Sequence, residues 1–152
     1  MQNAGIRAYI GKLSMDISSR ETYVEKSAEA SLSSAESFAD KCNAMNERRK
    51  LSARLVEPIL TPRFVPTCSN KLLRGLGDLA KEKGLRIQSH MAESHDQVQW
   101  VQKERGMEDI NVFESVSTSI TGGGRSQSLY ATCSSLERPP DRSHHTSTLY
   151  LS

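Results

Sequence analysis

Up to Glu114 the apolar residues follow two rhythms: short runs that suit strands, and three- and four-residue steps that suit helices. The run Arg7-Ala8-Tyr9-Ile10-Gly11-Lys12-Leu13-Ser14-Met15, within Gly5 to Asp16, predicts a first strand ending at Asp16. From about Glu21 to Lys50, one stripe holds Val24, Ala28, Ser31 or Leu32, Ala35, Phe38 or Ala39, Cys42 and Met45, so a long amphipathic helix is expected. Glu29, Glu36, Asp40 and Lys41 fall on its solvent face. Leu55 to Leu60 predicts a second strand, which Pro58 marks as an edge or bulged one. It runs into Thr61 to Thr67, where Pro62 and Pro66 stiffen the loop that presents Arg63 and Phe64. Ser69 suits the N-cap of a helix from Asn70 to Lys83, with Leu72, Leu73, Leu76, Leu79 and Ala80 inward and Gly84 as its stop. Leu85 to Ser89 is the third strand, followed by a helix from His95 to Arg105 with Val98 and Val101 inward and Gly106 at its end.

Strand then helix, three times over, at roughly 30 residues or more per unit, is the grammar of parallel βαβ crossovers. The fold class is therefore α/β, and the pattern leaves open whether the sheet is open or closed. The rhythm stops after Glu114. Residues 115–152 are dominated by Ser and Thr, carry Gly122-Gly123-Gly124 and Pro139-Pro140, and are expected to be disordered or barely ordered. No Lys-Ser or Lys-Thr follows the Gly triplet, so it does not read as a phosphate loop, and His144-His145 reads as solvated.

A chain of 152 residues suits one ordinary domain but falls short of a complete (β/α)8 barrel, which usually needs about 250. A hydrophobic content of 36% with 5% aromatics is lean, so part of the chain is expected not to fold. The net charge of +2 comes from 20 basic and 18 acidic residues that are well interspersed, which leaves no footprint for nucleic acid or anionic lipid. Arg48-Arg49-Lys50 is the single basic run, placed where a helix end favours cations. No stretch approaches the ~20 apolar residues of a membrane span, and the N-terminus lacks a signal-peptide core. Cys42, Cys68 and Cys133 are too far apart for a disulfide framework or a cysteine zinc knuckle, so reduced thiols and a cytoplasmic location are expected. A strand so near Met1 also suggests a chain that has lost its beginning.

Active sites of parallel sheets lie at the carboxyl ends of the strands. Asp16, the Arg63-Phe64 pair, and His90 with Glu93 all fall there. Alternation along Leu85 to His90 puts His90 on the face opposite Leu85, Ile87 and Ser89. A neutral imidazole ligates zinc, and a nearby carboxylate moves protons for hydrolysis. Spacing alone favours the plainer reading, a surface histidine and a glutamate placed by a helix N-terminus. Arg63 and Phe64 similarly suit either a surface cation and core ring, or a guanidinium that reads a carbonyl and a phenyl that stacks on a flat heterocycle.

Three runs in order, Gly5-Ile6-Arg7-Ala8-Tyr9-Ile10-Gly11-Lys12 with Met15-Asp16, then Thr61-Pro62-Arg63-Phe64, then Ile87-Gln88-Ser89-His90-Met91-Ala92-Glu93, resemble the guanine deaminases of the amidohydrolase superfamily. The resemblance covers Gly5 to Glu114 and implies an incomplete (β/α)8 barrel of about three βα units. It implies that His90 is a zinc ligand, that Glu93 is the catalytic proton shuttle, and that Arg63 and Phe64 hold guanine by hydrogen bonding and stacking. The implied reaction is hydrolysis of guanine to xanthine and ammonia, in purine catabolism. The family's early His-x-His and later zinc-binding aspartate have no counterpart here. Its next histidine belongs in an Ala-His segment whose nearest match is Tyr130-Ala131-Thr132-Cys133, with Thr132 in the histidine's place. Very weak zinc affinity and an inactive isolated chain are the expectation, with a frame-shifted origin plausible for residues 115–152. A barrel slice with uncovered edges should also associate, as a homo-oligomer or as a non-catalytic half-barrel on a full-length deaminase subunit. Membership of another amidohydrolase deaminase family is the further alternative.

Overall fold

In the computed structural model, residues 5–18, 20–47, 55–117, 129–133 and 147–151 are described. Strands β1 (Ala8–Ile10) and β2 (Leu13–Ser14) lead through a 3-10 turn at Glu21–Tyr23 into helix α1 (Ala28–Glu47). Strand β3 (Val56–Pro62), a 3-10 turn at Val65–Thr67, helix α2 (Asn70–Lys83), strand β4 (Arg86–Met91) and helix α3 (His95–Arg105) follow. Helix α4 (Asp109–Ser117) and strands β5 (Leu129–Cys133) and β6 (Ser147–Leu151) complete the order. The sheet runs β1-β3-β4-β5-β6, with β2 also on β3; all pairs are parallel except β5 with β6. The expected α/β class with a parallel sheet is what the chain forms.

The single first strand of the sequence pattern is broken into β1 and β2 at Gly11 and Lys12. Ala8 pairs with Val56 and Leu13 with Thr61, so the register carries through the break. At Gly11 the two backbones nearly touch: an added Cβ would collide with the Thr61 hydroxyl and the Ile59 carbonyl, so only glycine fits. Pro58 is expected to mark an edge or a bulged strand, and β3 lies inside the sheet. Pairing with β4 begins one residue later, at Ile59 with Arg86, so the missing N–H falls where β3 has a neighbour on one side only.

Helix α1 starts at Ala28 rather than Glu21, because Ser27 Oγ accepts from Ala30 N at 3.2 Å and caps it there. Its buried stripe is Ala28, Ser31, Ala35, Ala39, Cys42 and Asn46. Met45, expected inward, is 59% exposed, and Asn46 turns in instead to donate to the Val56 carbonyl at 2.8 Å, which ties α1 to β3. The acidic face of α1 is not merely solvated. Glu29 pairs with Lys71, while Glu36 and Asp40 meet Lys83 at 3.0 and 2.7 Å. These pairs are exposed and add little stability, but they line α1 against α2. The run Arg48-Arg49-Lys50 lies outside the described residues.

Helices α2 and α3 begin and end where the sequence pattern places them, although in α3 Gln97 is buried with Val101 while Val98 is half-buried. Ser69 and Ser94 accept from the Leu72 and Gln97 amides, and Gly84 and Gly106 end the helices at φ 64 and 68. Leu72, Leu73, Leu76 and Ala80 pack with Leu60, Val65, Val101, Val112 and Phe113 into the core that covers one sheet face. Val112 and Phe113 come from α4, a helix that the sequence pattern did not announce. Beyond Glu114, β5 and β6 pair with each other and β5 with β4. Leu129-Tyr130-Ala131-Thr132-Cys133 supplies β-favouring residues that the surrounding Ser-rich composition conceals. The Gly triplet and His144-His145 lie outside the described residues. Among the described residues, no helix is long and apolar enough to cross a membrane.

Cys68 is fully buried, donates to the Ser14 carbonyl at 3.4 Å, and has its thiol pushed up to about 11 by burial. A thiol reagent at mild alkaline pH should leave Cys68 unmodified in the native chain and label it fully in urea. Rapid native labelling, located by peptide mapping, would contradict the packing around β2 and β3.

Candidate active site

Strand β4 ends later than its sequence pattern suggests: it runs to Met91 and not Ser89, so His90 sits inside the strand rather than after it. Ser89 and Met91 are buried against the helices while His90 is exposed, in keeping with the predicted alternation. The His90 amide donates to the Arg63 carbonyl at 3.3 Å. Ser89 Oγ donates to the Pro62 carbonyl at 2.9 Å, so the carboxyl ends of β3 and β4 are stitched together. The Arg63 amide in turn donates to the Ser14 carbonyl at 3.0 Å, which draws in the end of β2. Arg63 and His90 are thereby fixed side by side through their backbones.

The Arg63 guanidinium lies over the Phe64 ring, 5.1 Å from its centroid, and Nη1 reaches the Met15 sulfur at 3.8 Å. Arg63 is exposed and Phe64 half-buried, so the pair offers a cation and a ring edge at the mouth of the sheet. On the other side of His90, β5 runs in register, with Thr132 as the partner of His90.

Glu93 is exposed on the turn between β4 and α3. Ala92 before it adopts φ 47, a left-handed conformation that costs a non-glycine residue about 1–2 kcal/mol. Three contacts hold that turn. The Ala92 amide donates to Asp109 Oδ2 at 3.3 Å, the Glu93 amide donates to Gln97 Oε1 at 3.2 Å, and Gln97 Nε2 donates to Asp109 Oδ1 at 3.3 Å. Sequence reasoning missed Gln97 and Asp109. The Ser94-x-x-Gln97 spacing of a capping box was a usable signal for the first, whereas the second depends on α4.

Asp109 is 5% exposed, and burial raises its carboxyl above the ordinary value, partly offset by the hydrogen bonds from Ala92 and Gln97. A raised carboxyl favours folding most below the unfolded value near 3.8, and that advantage is lost as pH rises through the folded value. Urea unfolding from pH 4 to 7 should therefore show the wild-type chain losing stability relative to Asp109→Asn as pH rises. Parallel profiles for the two chains would rule this out.

Asp16, the third candidate at a strand end, is committed elsewhere. Its Oδ1 accepts from the Ser69 amide at 2.8 Å and its Oδ2 from Ser69 Oγ at 2.5 Å, so it braces the start of α2. Zinc requires three or four protein donors. No group of three or more His, Cys, Asp or Glu is placed to hold a metal among the described residues, and His90 is a single donor. The described residues thus do not make a zinc site by themselves.

Residues 1–115 match the model of the amidohydrolase family. The chain is 43% identical over 97 residues to guanine deaminase of Dictyostelium discoideum, covering 64% of this chain and 20% of that protein. It is 37% identical over 97 residues to guanine deaminase of Homo sapiens, with 64% and 20% covered. The structure of guanine deaminase from C. acetobutylicum with bound guanine superposes with a TM-score of 0.66 at 32% identity, covering 76% of this chain and 26% of that one. The chain spans about a fifth of the length of the curated relatives it matches.

Proposed function

The chain belongs to the amidohydrolase family, and from that premise we propose that it is the guanine-holding part of a guanine deaminase, an α/β slice of a (β/α)8 barrel with about three βα units. The observation that carries this is the seam between β3 and β4, where the His90 amide bonds the Arg63 carbonyl and sets Arg63, Phe64 and His90 at one mouth. In this reading Arg63 donates to the carbonyl and ring nitrogen of guanine, and Phe64 stacks on the purine. Glu93 takes a proton from the attacking water and passes it to the departing amine, so that guanine and water give xanthine and ammonia. His90 contributes one ligand to a zinc centre that these residues do not complete, and no turnover is assigned to the chain alone.

That shortage of donors favours a second element of the proposal, a chain that works with other subunits, as a homo-oligomer or beside a full-length deaminase subunit. Purine catabolism and a cytoplasmic setting follow from the same reading, as does the absence of any nucleic-acid or membrane partner. The test is twofold. Calorimetry with guanine should show binding that Arg63→Ala weakens about tenfold or more. Ammonia release from guanine with added zinc should be absent for the chain alone and present when it is mixed with a deaminase subunit disabled at its own glutamate. A chain that ignores guanine, or prefers an adenosine-type substrate, would sink the guanine reading.

A further inference from the structure

A second cleft opens on the side of Arg63 away from His90 and Glu93, and Arg63 is the one residue it shares with the guanine reading. It has a volume of about 440 Å³ and is lined by Ile17, Ser18, Arg20, Tyr23, Arg63, Pro66, Thr67 and Trp100. Neither His90 nor Glu93 reaches it. Its volume lies within the usual range for small-molecule sites, about 300–1,000 Å³.

The walls are braced by the backbone. The Asp16 and Ile17 amides both donate to the Thr67 carbonyl at 3.1 Å, which locks the segment after β2 to the turn after β3. The Tyr23 amide donates to the Arg20 carbonyl at 3.1 Å, and the Arg20 amide to Ser18 Oγ at 3.0 Å, which folds the third wall back on itself. A ligand would therefore find the cleft largely formed, and little ordering would be lost on binding.

Its chemistry is lopsided. Two arginines, Arg20 and Arg63, line one cleft, and neither is ion-paired with a carboxylate among the described residues. Beside them stand three large apolar side chains left open to solvent: Ile17 at 42%, Tyr23 at 65% and Trp100 at 39%. Guanidiniums recognise oxyanions by forked hydrogen bonds, and aromatic side chains take flat rings on their faces. We propose that this cleft binds a flat-ringed anion, a planar ring carrying a phosphate or carboxylate, with Arg20 and Arg63 on the charge and Tyr23 and Trp100 on the ring.

Trp100 is the chain's single tryptophan, so its fluorescence reports occupancy of this cleft without any need for zinc or turnover. Adenosine 5′-monophosphate and benzoate are the probes, with inorganic phosphate and adenosine as the charge without the ring and the ring without the charge. Saturable change with either ring anion is expected, at a concentration about tenfold or more below that needed for phosphate or adenosine. A response to the nucleotide alone assigns the site to phosphates, and to benzoate alone to carboxylates. Arg20→Gln should weaken the ring anion about tenfold and Tyr23→Leu by a smaller factor, while His90→Ala leaves it unchanged. Phosphate or adenosine binding as tightly as the ring anions, equal affinity in Arg20→Gln, or no response to either probe would overturn the assignment. Arg63 serves both readings, so Arg20→Gln separates them: it should weaken the ring anion and leave guanine binding by calorimetry unchanged, and failure of either proposal is then read without the other.

Discussion

Asp16→Ala is expected to lower the free energy of unfolding by about 3 kcal/mol, seen as a lower urea midpoint at unchanged slope. Asp16 accepts two hydrogen bonds from one residue, the Ser69 amide at 2.8 Å and its hydroxyl at 2.5 Å. Ser69 Oγ then accepts from the Leu72 amide at 3.1 Å, so the carboxylate reaches the first turn of α2 through the cap. Hydrogen bonds to a charged acceptor are each worth about 1.5–3 kcal/mol, and a carboxylate near a helix N-terminus gains about 0.3–1 kcal/mol more. Alanine removes all of this and leaves two donors to find water in a half-buried setting. Asp16→Asn keeps an acceptor for the Ser69 amide and should recover about half of the loss. Ser69→Ala should cost about 1–2 kcal/mol, as cap removals do, and the double variant should cost less than the sum because both changes break one chain of bonds. A loss under about 0.5 kcal/mol in Asp16→Ala would return Asp16 to the pool of residues available for chemistry.

The reassignment of Asp16 marks the boundary of what the sequence makes legible. Strand ends can be read from runs and punctuation, and so the sequence itself puts Arg63, Phe64 and His90 at strand ends. Helices α2 and α3 were legible to the residue because each carries a serine cap, a stripe and a glycine stop on a short stretch. Helix α1 was overextended because Val24 continues the stripe backwards, and nothing in the period reveals that Ser27 starts the hydrogen-bond ladder. Near its end, Asn46 and not Met45 turns inward, where its side chain donates to the Val56 carbonyl. What lay beyond reach depends on pairs distant in sequence: Asp16 with Ser69, Ala92 with Asp109, and Gly11 with Thr61. Hydrophobic patterning carries no information about which polar groups meet. The cleft of Arg20, Tyr23 and Trp100 is hidden for the same reason, because its walls come from two separate connections and from helix α3.

Glu93→Gln is expected to lower kcat for guanine about 10²–10⁴-fold in any assembly to which this chain lends its site, with KM little changed. Glutamine keeps the size of the side chain and the backbone donation of residue 93 to Gln97 Oε1, so the turn held by Asp109 and Gln97 should persist. What it loses is the ability to take a proton from water and return it to the leaving amine. Arg63→Lys should do the opposite, raising KM with a smaller effect on kcat, because a lysine ammonium cannot copy the forked contact to a carbonyl and ring nitrogen. The competing account makes Glu93 an acid sitting just before the N-cap of α3, where it serves only the helix dipole. In that case Glu93→Gln would cost about 0.3–1 kcal/mol of stability and leave turnover untouched. The two accounts predict opposite rankings of the same variant: a normal urea midpoint with a collapsed kcat assigns the carboxylate to proton transfer, and a lowered midpoint with a normal kcat assigns it to the helix.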